Sequence, residues 1–201
     1  MIASSAIGAI VLAAGSASRF GTPKQLLTID GVNLLNRTIN LLKAAQIANA
    51  VIVLGANFKQ IQPTVFLPEN YQLVQNEHWE AGMSTSIIAG IKGLKEKSPL
   101  VKAFLILVCD QPYLTSHFIE SLFAAYYYPE KQIVAAAYGN TIGTPLLISR
   151  QFEPDLLQLK GDKGAKSIAL ANKEVLQTIP FEKGVFDIDY PTDWENFIAN
   201  K

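Results

Sequence analysis

An apolar run that empties into a turn of small residues constrains this chain most. Residues 7–12 read as a β-strand, and Ile10-Val11-Leu12-Ala13-Ala14-Gly15 leads into Ser16-Ala17-Ser18-Arg19-Phe20-Gly21 and then Thr22-Pro23-Lys24. Small residues let backbone N–H groups approach a ligand, and Arg19 and Lys24 add fixed positive charge. That combination suits a polyphosphate. The Gly-Lys-Ser/Thr of a Walker loop is missing, and Gly15 and Gly21 are too far apart for the dinucleotide G-x-G-x-x-G.

Beyond the turn, short β-branched runs alternate with helical periodicity. Leu34, Leu35, Ile39 and Leu42 share one helix face. Residues 51–54 form a second strand and 72–74 a weaker third. Ser84 starts a helix whose face carries Ile87, Ile88, Ile91 and Leu94. Residues 104–108 are continuously apolar, as expected of a central parallel strand buried on both faces. Phe118, Leu122 and Tyr126 mark the next helix, and 133–137 another strand. Residues 192–198 open with Thr192-x-x-Glu195, a capping-box pattern. No repeat, low-complexity run or linker interrupts the series. The alternation predicts one α/β domain over residues 1–201, Rossmann-like and three-layered, with a mainly parallel sheet. Ligands in such sheets sit beyond the carboxyl ends of the strands, which brings residues 14–24 and Asp110-Gln111-Pro112 to one crevice.

Composition narrows the function classes. The chain has 201 residues, 49% hydrophobic and 17% charged, enough to bury a sizeable core. Its formal net charge of zero offers no basic footprint for nucleic acid and no polybasic patch for a membrane. The single cysteine excludes an internal disulfide, and with only two histidines there is no zinc cluster to propose. The N-terminus shows no basic region or cleavage site of a leader, and residues 7–14 are too short to span a bilayer, so a cytoplasmic protein is expected.

The first turn is similar to the nucleotidyltransferase signature L-A-A-G-x-S-x-R-M-G-x-x-K, and further blocks follow in the order of that family. Asn76-Glu77-His78-Trp79-Glu80-Ala81-Gly82-Met83-Ser84-Thr85-Ser86 resembles N-x-x-W-x-x-G-M-S-x-S. Cys109-Asp110-Gln111-Pro112 resembles C-D-Q-P. Gly143-Thr144-Pro145 and Gly161-Asp162-Lys163-Gly164-Ala165 resemble G-x-P and G-D-x-G-A. Asp187-Ile188-Asp189-Tyr190-Pro191-Thr192-Asp193 resembles D-I-D-T-P-E-D. Together the blocks resemble the MobA/MocA-like enzymes, the molybdenum-cofactor branch of the nucleotidyltransferases.

The resemblance implies magnesium-dependent transfer of a nucleotidyl group from a nucleoside triphosphate to a phosphorylated acceptor, with release of pyrophosphate. Such chemistry rests on positioning and on neutralising phosphate charge. It makes Leu12, Ala13, Ala14, Gly15, Arg19, Lys24, Gly82, Ser84, Ser86 and Asp110 nucleotide-binding positions, with Arg19, Lys24 and Asp110 catalytic. Asp110 becomes one magnesium ligand and Asp189 its partner. Asp187, two residues away on the same face, stays open as an alternative. Gln111, Pro112 and Asp162 fall on the acceptor side, which a portion around residues 138–185 covers. The A-A-G form of the turn favours CTP over GTP, and the branch implies molybdopterin cofactor as acceptor; a molybdoenzyme or chaperone partner stays unassigned. Ser16 stands where many members carry Lys or Arg, and Ala17 where they carry Ser, so this turn has lost a phosphate contact.

Plainer readings stand beside these. Asp110 suits a helix N-cap, Asp189 a turn before Pro191, Ser84 and Ser86 simple caps, and Asp162 turn chemistry. Trp79 reads as a packing anchor and Cys109 as a small buried core residue, while His78 and His117 have no assigned role. The alternative functions are the same transfer to a sugar or alditol phosphate and a non-catalytic nucleotide- or cofactor-binding protein.

Overall fold

The computed structural model describes residues 6–127 and 131–200. The expectation of a chain start without a leader rests partly on residues 1–5, which lie outside the described residues. Strand β1 (Ile7–Ala13) is followed by the short strands β2 (Thr28–Ile29) and β3 (Val32–Asn33), then α1 (Leu34–Ala44), β4 (Asn49–Leu54), the single turn α2 (Phe58–Ile61), β5 (Tyr71–Gln75) and α3 (Met83–Lys97). The second half comprises β6 (Ala103–Val108), α4 (Ser116–Tyr126), β7 (Ile133–Tyr138), β8 (Thr141–Ser149), α5 (Glu153–Leu157), α6 (Ala165–Ala171), β9 (Leu176–Pro180) and α7 (Pro191–Ala199).

The continuous apolar strands are sorted by their period of two. Ile7, Ala9, Val11 and Ala13 of β1 join Leu35, Ile39 and Leu42 of α1 and Ile119 and Leu122 of α4 in one layer. Ile10 and Leu12 join Ile87, Ile91 and Leu94 of α3 and Ile168 of α6 in the other. Alternate side chains thus feed opposite layers, and an apolar run is what a strand covered on both faces requires. The seven-stranded sheet has the order β5-β4-β1-β6-β8-β7-β9. Its β5-β4-β1-β6 half is parallel throughout, and β7 pairs with β9 in parallel. The result is a single α/β domain with a mostly parallel sheet between helical layers, as the alternation of elements predicts.

One strand was not foreseen, and one local expectation is corrected. Residues 133–137 do form a strand, but β8 lies between it and β6, antiparallel to both. The reversal comes from the Gly139–Asn140 turn, with Tyr138 opposite Thr141; a Gly-Asn pair between apolar runs is a hairpin signal, not a crossover. The last helix begins at Pro191 rather than Thr192. Proline's fixed φ suits the first helical position. Asp193, not Glu195, reaches back: its Oδ2 accepts from the backbone N–H of Tyr190 at 2.7 Å and of Asp189 at 2.9 Å.

Helix α3 crosses β1 at Gly90, where a Cβ would lie 2.3 Å from Ile10 Cγ2. A side chain there would lever the helix off the sheet. The close approach sets the start of α3 over the carboxyl edge of the sheet, beside the turn that leaves β1. Among the described residues no helix is long and apolar enough to cross a membrane.

Candidate active site

The turn after β1 is held from within. Gln25 is buried, and its Nε2 donates to the carbonyls of Ala13 at 2.8 Å and Gly15 at 3.3 Å. With those carbonyls engaged on one side, the chain swings out and back. Ala17 adopts a left-handed φ of 51°, and its carbonyl accepts from both Phe20 and Gly21 at 3.0 Å. Strain at a non-glycine residue in such a loop marks functional turns. Pro23 then starts a short 3-10 turn, Lys24–Leu26, that carries Lys24 inward.

Lys24 Nζ donates to Asp110 Oδ2 and to Asp189 Oδ1, each at 2.7 Å. Burial alone would lower the ammonium's pKa, but the charge of Asp110 and the hydrogen bonds to Asp110 and Asp189 outweigh it, and the group titrates above the usual lysine range. Backbone contacts bring the two carboxylates together: the Ile188 N–H donates to the Asp110 carbonyl at 3.0 Å, and Ile188 itself is fully buried. Asp193 then fixes the backbone at Asp189. Asp187 makes a side-chain hydrogen bond with Gln111 instead. The protein around it, and then the charge of Asp110, push its carboxyl up to about 7, although part of the residue faces solvent.

Lys24, Asp110 and Asp189 line a crevice of about 460 Å³ at the carboxyl edge of the sheet, which Asp187 does not reach; the size suits a nucleotide-scale ligand. Leu12, Ala13, Ala14, Gly15, Arg19 and Lys24 form one wall, and Asp110 and Asp189 its floor. Gly82 and Ser86 of the α3 start, with Asp162, form the opposite wall. The guanidinium of Arg19 lies 5.9 Å from the ring centre of Tyr190.

The remaining expected residues stand behind the lining. Ser84 is buried, and its N–H donates to the Gly161 carbonyl at 3.0 Å. That bond ties the loop bearing Asp162 to the start of α3. Gln111 and Pro112 are buried outside the crevice, and Gln111 Nε2 donates to the Gly184 carbonyl at 3.1 Å. Trp79 lines the crevice edge while packing beside Gly55. Cys109 is 7% exposed, with burial, and then the charge of Asp110, pushing its thiol up to about 12. Residues 9–175 match the family described as MobA-like NTP transferase domain. The chain belongs to that family and is a nucleotidyltransferase.

Its relatives fit this membership. A protein named nicotine blue oxidoreductase, from Paenarthrobacter nicotinovorans, is 30% identical over 166 residues, 78% of each chain. The crystal structure of an Rv0371c homologue from Mycobacterium sp. strain JC1 superposes with a TM-score of 0.82 at 27% identity, covering 98% of this chain and 96% of that one. A nucleotidyl transferase from Methanothermobacter shares the fold at a TM-score of 0.75 and 19% identity, covering 97% and 99%. Sequence reasoning missed three supports of the MobA-like site: Gln25, Asn76 and Asp193. Each works through backbone carbonyls, backbone N–H groups or hydroxyls; Asn76 and Asp193 stand at the ends of two family-like blocks and Gln25 adjoins Lys24, but the pattern alone gave none of them a role.

Proposed function

We propose that this protein transfers CMP from CTP to a phosphorylated acceptor, with the phosphate of molybdopterin cofactor as that acceptor, and releases pyrophosphate. The observation that carries the reading is the convergence of Lys24, Asp110 and Asp189 beneath a turn of small residues. A lysine alone would favour an anion, but the crevice also presents Glu80, Asp110, Asp162 and Asp189. A triphosphate entering among those carboxylates needs a further cation. Asp110 and Asp189 already close on one positive charge, the Lys24 ammonium, so their geometry fits a divalent ion such as magnesium, which binds through one or two carboxylates plus substrate phosphates. When bound, that ion neutralises phosphate charge.

The chain's own groups have separable roles. Gly15 and its neighbours leave backbone N–H groups open to the triphosphate. Arg19 and Lys24 supply charge to the phosphates. The acceptor phosphate oxygen attacks the α-phosphorus in line, a new phosphorus–oxygen bond forms, and the bond to the leaving pyrophosphate breaks. No covalent enzyme intermediate is required. Asp162 faces the acceptor side, while Gln111, bonded to the Gly184 carbonyl, and Pro112 act at one remove from behind Asp110.

The test is incubation with each of the four triphosphates, magnesium or manganese, and molybdenum cofactor, reading pyrophosphate release and product mass. A cytosine dinucleotide product supports the proposal; sugar or alditol phosphates in place of the cofactor test other acceptors. No pyrophosphate with any acceptor points to a binding protein. The 30% identical relative supplies a second reading, a redox reaction on an aromatic dye. Following reduced nicotinamide absorbance in parallel incubations with nicotine blue distinguishes it.

A further inference from the structure

Asn76, between β5 and α3, is 5% exposed and makes a full set of contacts. Its Oδ1 accepts from the His78 backbone N–H at 3.0 Å. A backbone N–H can only donate, so this contact settles which end of the amide is oxygen. The amide nitrogen must then face the other way, where it donates to Thr85 Oγ1 at 2.8 Å and to Ser86 Oγ at 2.9 Å. Both hydroxyls are therefore acceptors on that side. Thr85 directs its own proton to the carbonyls of His78 and Gly82, at 3.0 and 2.8 Å. Ser86 has no such acceptor among the described residues, and it lines the crevice.

We propose that Asn76 is a positioning residue that makes the Ser86 hydroxyl an obligate proton donor toward the crevice, so that this wall of the nucleotide site reads a hydrogen-bond acceptor on the base. The inference rests on the nucleotide reading of the crevice and adds a polarity to it. Cytosine meets the requirement with O2 and N3 on its pairing edge. Replacing Asn76 by Asp keeps shape but inverts the pattern: the carboxylate oxygen facing Ser86 accepts the hydroxyl proton, and Ser86 then shows only lone pairs to the crevice.

The experiment measures binding of CTP and of inorganic tripolyphosphate, each with manganese, to the parent, Ser86→Ala, Asn76→Asp and the double variant. Each single variant is expected to weaken CTP about tenfold, the worth of one hydrogen bond in a site with fixed partners. Tripolyphosphate, which has no base, stays within about twofold. In the Ser86→Ala background Asn76→Asp adds no further loss, because its effect runs through the missing hydroxyl. KM for CTP rises with little change in kcat, as expected for binding shared by ground and transition states. Additive losses, equal losses for tripolyphosphate, or Ser86→Ala binding CTP like the parent overturn the inference. If Asn76→Asp does not fold, Asn76→Ser takes its place in the same cycle, and a loss of CTP binding that adds to that of Ser86→Ala overturns the inference. A parent that binds neither CTP nor tripolyphosphate overturns the nucleotide reading itself, and the inference with it; a parent that binds CTP while Ser86→Ala binds it equally well overturns the inference alone.

Discussion

Lys24 Nζ lies 2.7 Å from Asp110 Oδ2, in a three-way contact that Asp189 completes from the opposite end of the chain. From sequence, Lys24 faces the phosphates; here it faces the carboxylates expected to hold a metal. Both positions cannot be served at once. A divalent cation between Asp110 and Asp189 would meet the ammonium at contact distance, where like charges repel strongly. Nucleotide phosphates give Lys24 another partner, so metal and nucleotide should bind together.

The first prediction follows. Lys24→Met should bind manganese in the absence of nucleotide about tenfold more tightly than the parent, because a competing charge has gone. The same variant should bind CTP less tightly and turn over about a hundredfold more slowly, the usual loss when a preorganised charge is removed. Calorimetric titration with manganese chloride, with and without CTP, checks the first half, and pyrophosphate release the second. Unchanged or weaker manganese binding would mean that the cation does not use this carboxylate pair.

Gly82 packs the start of α3 against the Asp162 loop within one wall of the crevice. Its φ is +105°, and a Cβ there would sit 2.3 Å from the Gly161 carbonyl carbon and 2.8 Å from the Asp162 nitrogen. Both are backbone atoms, which cannot rotate away. Gly82→Ala should therefore cost about 2 kcal/mol or more of stability, from strain and overpacking together. It should also move the Asp162 loop away from α3. Urea unfolding measures the cost, and a fall in turnover larger than any loss of CTP affinity reports the loop. A variant as stable as the parent would show that the 161–162 loop does not pack here.

Tyr71 gives a prediction in pH. Its hydroxyl donates to the Ile47 carbonyl at 3.0 Å beneath β5, and burial pushes its pKa up to about 12. A pKa raised in the fold means that the protonated form is preferred there. Its contribution to stability is thus complete below the unfolded value near 10 and is lost as pH climbs through about 12. Urea unfolding between pH 9 and 12 should show a decline that Tyr71→Phe makes shallower. The same slope in both proteins would assign the alkaline loss to other groups.

How far the sequence could be read depended on the range of the interactions. β1, β4 and β6 were legible because a strand covered on both faces must be apolar at every position, and their runs say so directly. Lys24 and Asp110 were legible because each follows such a strand, where the topology puts ligands. β8 escaped because the rhythm of βαβ units leaves no place for a strand that turns straight back, while Gly139–Asn140 carried the local instruction to do so. The cap of α7 was misread by two residues, because Thr192-x-x-Glu195 matches the pattern, whereas Tyr190 as N-cap with Pro191 and Asp193 behind it fits the backbone better. Asn76 and Ser86 stand at the two ends of one family-like block, but the contact between them was not legible, because only the turn between β5 and α3 folds the amide back onto the hydroxyl.

The choice between Asp187 and Asp189 now has a geometric basis. Asp189 shares the Lys24 ammonium with Asp110 and lines the crevice. Asp187 is bonded to Gln111 and has no hydrogen bond to Lys24. If the carboxylates that hold the ammonium are also those that hold the metal, substitutions should divide accordingly. Asp110→Asn and Asp189→Asn should each lower turnover about a hundredfold or more at fixed magnesium, because each removes charge that a cation needs. The amide keeps the size of the carboxylate, so cavity formation does not confuse the comparison. Asp187→Asn should stay within about fivefold of the parent, since Asp187 makes no hydrogen bond with the Lys24 ammonium and acts on the Asp110–Asp189 pair only through charge at longer range. Magnesium titrations of turnover extend the test: Asp110→Asn and Asp189→Asn should need more magnesium for half-maximal rate, and Asp187→Asn the same as the parent. If Asp187→Asn is as damaging as Asp110→Asn and shifts the magnesium requirement equally, the metal pair is Asp110 with Asp187, and Asp189 serves chiefly to hold Lys24.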